Sequence, residues 1–223
     1  MKHLAVRRRL LVYVMLPLAY VITGRLGLLL AVPPGYATAV FVPAGIAVGA
    51  VFMAGPSTLP GIFIGSLLLN LVGYSIAGHF ELLGTAAALV IAVASALQAA
   101  LGGAVLRRVI GYPAGLDNPR DLVSLLVLSP VFCLTSASLS LASIWALGAV
   151  QSGDLPSNWT TWWAGDTLGV LVTLPLLFVL FAEPRHLWRS RVWSVAVPML
   201  PLFRPIRRNF HSCQQLGERS VSF

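Results

Sequence analysis

Charge is what this chain has least of: Asp, Glu, Lys and Arg make up 10% of 223 residues, with seven acids against fifteen bases. So few charges cannot clothe a water-soluble domain, in which about a quarter of residues are charged. Cysteine is nearly missing too. Cys133 and Cys213 stand 80 residues apart, which matches neither a metal-ligand spacing nor a disulfide framework, and Cys133 reads as packing filler. His3, His79, His186 and His211 are dispersed, with no HExxH or HxxxH pair. No metal site and no cofactor is therefore expected. The net charge of +8 forms neither one basic patch nor an aromatic-interleaved stripe, which sets nucleic acid aside as a partner.

What is abundant is apolar sequence, 57% of the chain, arriving in runs of about twenty residues rather than in amphipathic stripes. Six spans are predicted, at 10–31, 37–54, 58–77, 82–106, 121–150 and 159–182. The fold class is thus all-α, a polytopic transmembrane helical bundle of about six spans plus an incomplete seventh, with the lipid bilayer as its first partner. The fifth run is overlong, and either extends past the membrane or kinks at Pro130.

The basic residues sit between the runs. Arg7, Arg8 and Arg9 precede the first, Arg107, Arg108 and Arg120 separate the fourth from the fifth, and Arg185, Arg189 and Arg191 follow the sixth. The opposite loops hold no Lys or Arg, so the amino terminus is expected in the cytoplasm and 77–81 and 151–158 outside. Trp159, Trp162 and Trp163 then fall where an outer aromatic belt belongs. The first run exceeds the ~7 to 15 residues of a signal-peptide core, which favours a retained anchor.

Helices in lipid associate through small residues that let backbones approach. GxxxG pairs occur at Gly45 and Gly49, Gly61 and Gly65, and Gly165 and Gly169, and Ala88, Ala92, Ala96, Ala100 and Ala104 form a four-residue ladder. The polar residues within the spans say more. Asp166 enters the sixth span within its first two turns, and an acid there is either a functional site or glue between helices. Arg25 lies at a similar depth, ~9 Å below the outer surface, and either pairs with Asp166 or snorkels to the headgroups. Asn70 and Gln98 can bond across helices. Thr135, Ser136, Ser138, Ser140 and Ser143 either line a polar cleft or bond back to their own helix.

Two stretches together carry a resemblance: FVPAGIAVGAVFMAGPSTLPGIFIGSLLLNL at 41–71 and WWAGDTLGVLVTLPLL at 162–177. Over roughly residues 10–182 the chain resembles the first type of bacterial membrane-associated sensor domain, the MASE family. The motif positions fall on Pro43, Gly45, Gly61, Gly65, Asn70, Trp163, Gly165, Asp166, Gly169 and Pro175. The resemblance implies an integral-membrane sensory input module, usually followed by a histidine kinase or diguanylate cyclase output. It brings no catalytic residue and no defined ligand, and the chain is not expected to be an enzyme.

Four segments follow: a cytoplasmic basic leader at 1–9, a transmembrane sensor domain at 10–182, a cytoplasmic basic segment with an incomplete apolar run at 183–203, and a polar, disordered tail at 204–223. The family pattern continues through two further spans. Here the seventh run, 192–203, stops at 12 residues and gives way to a polar basic tail, either natural or the mark of a truncated or frame-shifted gene. Neither a GGDEF-like loop nor a phosphoacceptor-histidine helix nor an ATP-binding glycine pattern is present.

The sequence therefore points to a sensory module of the bacterial inner membrane, with Asp166, Arg25, Trp163 and Asn70 as candidate ligand or signal-sensing residues. A second copy of the chain or a signalling protein is the expected protein partner. Two other readings stay open: a small permease or channel component with Asp166 as its ion or proton site, and a non-functional fragment of a larger sensor.

Overall fold

The structure, a computed structural model, describes residues 2–29, 38–76, 82–112, 118–148 and 150–181. Among them lie six α-helices and no strand: α1 Lys2–Leu29, α2 Val42–Ala54, α3 Leu59–Ile76, α4 Leu82–Val109, α5 Pro119–Ala146 and α6 Leu155–Phe181. The seventh run and the tail fall outside the described residues. Four segments, Pro56–Ser75, Leu82–Val109, Pro119–Ala146 and Ser152–Phe178, are long and apolar enough to cross a membrane. Tyr13–Leu29 and Val42–Ala54 are shorter apolar helices, so the six-span expectation holds in full for four.

The largest departure is the second span, predicted at 37–54. Its helix starts only at Val42, where Pro43 occupies the first turn and spares a backbone donor that would have no helical partner. It ends at Gly55, whose φ of 86° is open to glycine and whose N–H closes on Val51 O. At 13 residues the helix is about 20 Å long, against ~30 Å of hydrocarbon. The missing length lies in residues 38–41, which run without helix alongside α6, Phe41 N–H donating to Gly165 O at 2.9 Å. Non-helical backbone is tolerated at membrane depth only where protein buries it or where it lines a cavity.

α2 is the central helix. It packs on α1, α4 and α6, while α3 bridges α1 to α4 and α5 bridges α4 to α6. Its buried residues, Pro43, Ala44, Gly45, Ala47, Val48, Gly49, Val51 and Phe52, cover about two thirds of its circumference, and Ile46, Ala50 and Met53 on the remaining side are half-buried. Ala44, Val48 and Phe52 join Leu106, Leu125, Phe132, Val170, Leu174 and Phe178 in one core cluster, and Ala47 and Val51 join Tyr20, Ile62, Leu69 and Ala99 in another. The C-terminal end of α2 is held by Arg107 of α4, whose Nε donates to Phe52 O and whose Nη2 donates to Met53 O at 3.1 Å. A cation at a helix C-terminus also meets the negative end of its dipole.

The three glycine pairs differ in what they approach. A Cβ at Gly45 would stand 2.5 Å from Gly169 O and one at Gly65 2.9 Å from Tyr20 Cβ, so these positions bring α2 onto α6 and α3 onto α1. Gly49 faces the Leu174 and Leu177 side chains, whereas Gly61 has only ordinary to slightly tight neighbours in Leu16 and Pro17. Gly165 and Gly169 meet backbone instead: a Cβ on either would strike the Thr38 or Phe41 carbonyl. This pair is the groove that seats residues 38–41. The alanine ladder of α4 is only partly buried, Ala88 and Ala92 inside and Ala104 exposed. A four-residue repeat drifts ~40° per step around a helix of 3.6 residues per turn, so its later members rotate out.

Candidate functional site

Asp166 stands on α6 one residue beyond the contact with Phe41, and is 3% exposed. Its nearest polar neighbours come from other helices: the Ser136 hydroxyl of α5 and the Gln98 carboxamide of α4. The carboxyl borders a chamber of about 60 Å³, lined also by Tyr20 of α1, Ser66 and Asn70 of α3, Ser95 of α4, Ser136, Trp162, and Thr38 with Phe41. A smaller extension of about 10 Å³ reaches Gln98, Ala44 and Ala47, so all six helices contribute to the wall.

The polar groups of this wall are partly knit together. Ser66 Oγ donates to Ser95 Oγ at 3.1 Å, beside the fully buried Tyr20 hydroxyl. Asn70 Nδ2 donates to Ser66 O at 2.8 Å, and Gln98 Nε2 to Cys133 Sγ at 3.5 Å. Among the described residues four buried oxygens have no hydrogen-bond partner: Thr38 Oγ1, Gln98 Oε1, Ser140 Oγ and Thr167 Oγ1. The first two belong to residues of the chamber wall. Each such group costs about 1–3 kcal/mol when left unpaired, so the two at the chamber wall would gain from a polar occupant.

The four candidate residues separate. Asp166 and Asn70 line the chamber together. Arg25 is half-buried on α1, lies outside the chamber wall, and among the described residues no ion pair joins it to Asp166. The expected pairing fails because equal depth does not make neighbours: α1 packs on α3 and α2, and it is α2 that packs on α6. Trp163 points the other way, donating from Nε1 to Pro130 O at 2.8 Å and stacking on Trp159 at 5.9 Å. Trp162 takes the chamber position instead, since residues four apart share a helix face.

The serine stretch of α5 does both things considered for it. Ser136 lines the chamber, Ser143 bonds back to Ser140 O at 2.7 Å, and Ser138 accepts from Trp159 Nε1 at 3.2 Å. Cys133 is buried in the core cluster formed by α2, α4, α5 and α6. Sequence reasoning missed Tyr20, Ser66, Ser95 and Thr38. A signal was present for two of them: Ser66 precedes Asn70 by four residues and Ser95 precedes Gln98 by three, each pair on one face of an apolar helix. Among the described residues no group of three His, Cys, Asp or Glu side chains could hold a metal ion.

The family model MASE1 matches residues 10–206, most of the chain and beyond the last described helix. No curated protein and no solved structure matches it.

Proposed function

The chain belongs to the MASE1 family, a family of membrane-associated sensor domains, and on that premise we propose that the chamber at Asp166 is where this module takes its input. The observation that carries the reading is a fully enclosed acid, without an ion pair among the described residues, in a chamber to which all six helices contribute. An occupant there is bordered by residues of all six helices. Such an occupant stabilises one packing of the bundle over another in proportion to its difference in affinity for the two, which is all a sensor requires.

In this reading α1 and α2 complete a six-helix crossing of the bacterial inner membrane, α2 with the help of residues 38–41. The amino terminus and the segment after α6 face the cytoplasm, supported by the arginines at 7–9, 107–108, 120 and 185–191. Movement of α6 would then reach a cytoplasmic kinase or cyclase output. The test is a fusion of the whole chain, at its carboxyl terminus, to a diguanylate cyclase. Asp166→Asn should change cyclic di-GMP output by about fivefold or more, the lower range of allosteric coupling. Equal output from both proteins at equal membrane levels removes Asp166 from the input function.

A further inference from the structure

We propose that the Asp166 chamber binds one small monovalent cation, of the alkali or ammonium kind. The inference rests on the reading of this chamber as the input site and names the chemistry it takes. Three properties lead to it: the charge of the wall, the atoms it presents, and its size.

Charge comes first. Among the described residues Asp166 is the one carboxylate of the wall, and no arginine lines it. A lone carboxylate in a low-dielectric interior is strongly disfavoured, and a single positive charge beside it brings the site to neutrality. A divalent ion would leave one positive charge buried in the same place. The wall itself thus selects the valence.

The polar atoms presented are largely oxygens, set among the apolar side chains of Leu28, Leu69 and Ile91. Beside the carboxylate stand the hydroxyls of Ser136, Ser66 and Ser95, and two oxygens without a partner, Gln98 Oε1 and Thr38 Oγ1. Both of these residues are more than nine-tenths buried, at 3% and 2% exposure. One carboxylate among neutral oxygens suits a hard cation, and without imidazole or a thiolate cluster the set is a poor one for zinc or copper. A proton on Asp166 would neutralise the acid. It would supply a single hydrogen bond, however, and leave one of the two orphan oxygens as it was.

Size admits a small cation. About 60 Å³ with a 10 Å³ extension exceeds several-fold the ~10 to 15 Å³ of free space that one water needs. A bare ion with a few waters therefore fits. Residues 38–41 form part of the wall, so an ion held by Thr38 and Asp166 would also fasten the non-helical entry of α2 to α6.

The experiment uses the full chain in nanodiscs at constant ionic strength, with choline chloride as the reference salt. Thermal unfolding is followed in NaCl, KCl, NH4Cl and MgCl2 at two pH values, alongside equilibrium binding of radioactive sodium. At least one of the three monovalent ions should raise the midpoint saturably, by about 5 °C at a large excess over its dissociation constant. Asp166→Asn should abolish that rise, and Gln98→Leu or Ser136→Ala, which keep the acid, should weaken apparent affinity about tenfold. These two variants keep the test open if Asp166→Asn does not fold.

Midpoints that follow pH alone, identical in choline and in the monovalent salts, would overturn the cation and assign the site to a proton. An equal or greater rise in MgCl2 would overturn the monovalent valence. Neither result touches the input reading if Asp166→Asn still changes the output of the cyclase fusion. No ion effect together with unchanged fusion output would end both.

Discussion

At the scale of single residues, the same motif does two different jobs. Gly61 and Gly169 each belong to a GxxxG pair, yet a Cβ at Gly61 would meet the flexible end of Leu16 at 3.3 Å, while at Gly169 it would strike the Phe41 backbone carbonyl. A side-chain tip can turn aside, and a carbonyl in a seated backbone cannot. Gly61→Ala should therefore change stability by less than about 1 kcal/mol, since alanine's better helix propensity offsets a small adjustment. Gly169→Ala should cost about 1–3 kcal/mol or more, the range for overpacking a tight site. Thermal unfolding of the two variants in the same detergent checks this, and equal losses would mean that residues 38–41 do not depend on the groove. Polar residues were legible at this scale for a plain reason. An Asp, Asn or Gln within an apolar run stands out, as Asp166, Asn70 and Gln98 did. Tyr20 did not, because tyrosine passes as an apolar or interfacial residue until its hydroxyl is found beside Ser66 and Ser95.

At the scale of the element, α2 shows why span lengths read from hydropathy can mislead. Residues 37–41 read as part of the apolar second span, so nothing local distinguishes them from the turns that follow. The departure of residues 38–41 from helix is set by Phe41 N–H finding Gly165 O, with Pro43 fixing where the helix starts. The other end depends on Arg107, which takes the Phe52 and Met53 carbonyls and lies over the Tyr112 ring at 5.4 Å. Sequence reading assigned Arg107 to orientation alone. Arg107→Gln should lower stability by about 1–2 kcal/mol, the worth of hydrogen bonds from a charged donor discounted for its partial exposure. Arg108→Gln should have little effect, because no bond of this kind joins Arg108 to α2 among the described residues. Unfolding measurements on both variants separate a structural clamp from a topological charge, and equal small losses would leave Arg107 as an orientation signal only.

At the scale of the whole molecule, the arginine pattern and the chamber make one joint statement about sidedness. Asp166 lies nearer the start of α6, whose first turn belongs to residues 151–158, so an outside location for that segment puts the chamber in the outer half of the bundle. Alkaline phosphatase fused within 151–158 should be active, and fused after Arg191 inactive. The reverse pattern would place the chamber on the cytoplasmic side and make any ion sensed there an intracellular one.

The sequence by itself determined the substance of this protein: helices throughout, a membrane as solvent, an acid among apolar residues, and the MASE1 resemblance that the family model shares. These are local properties, fixed by the length of apolar runs and by the chemical identity of each residue. Only the tertiary structure decided which faces meet. In a water-soluble protein the polar face of a helix reveals its inner one, but here lipid and core are equally apolar and the pattern carries no such direction. Equal depth therefore suggested Arg25 as the partner of Asp166, whereas the packing of α2 between α1, α4 and α6 put Ser136 and Gln98 there instead. The short α2, the groove of Gly165 and Gly169, and the chamber that all six helices wall in belong to that packing, because each depends on how helices rotate against neighbours far away in the chain.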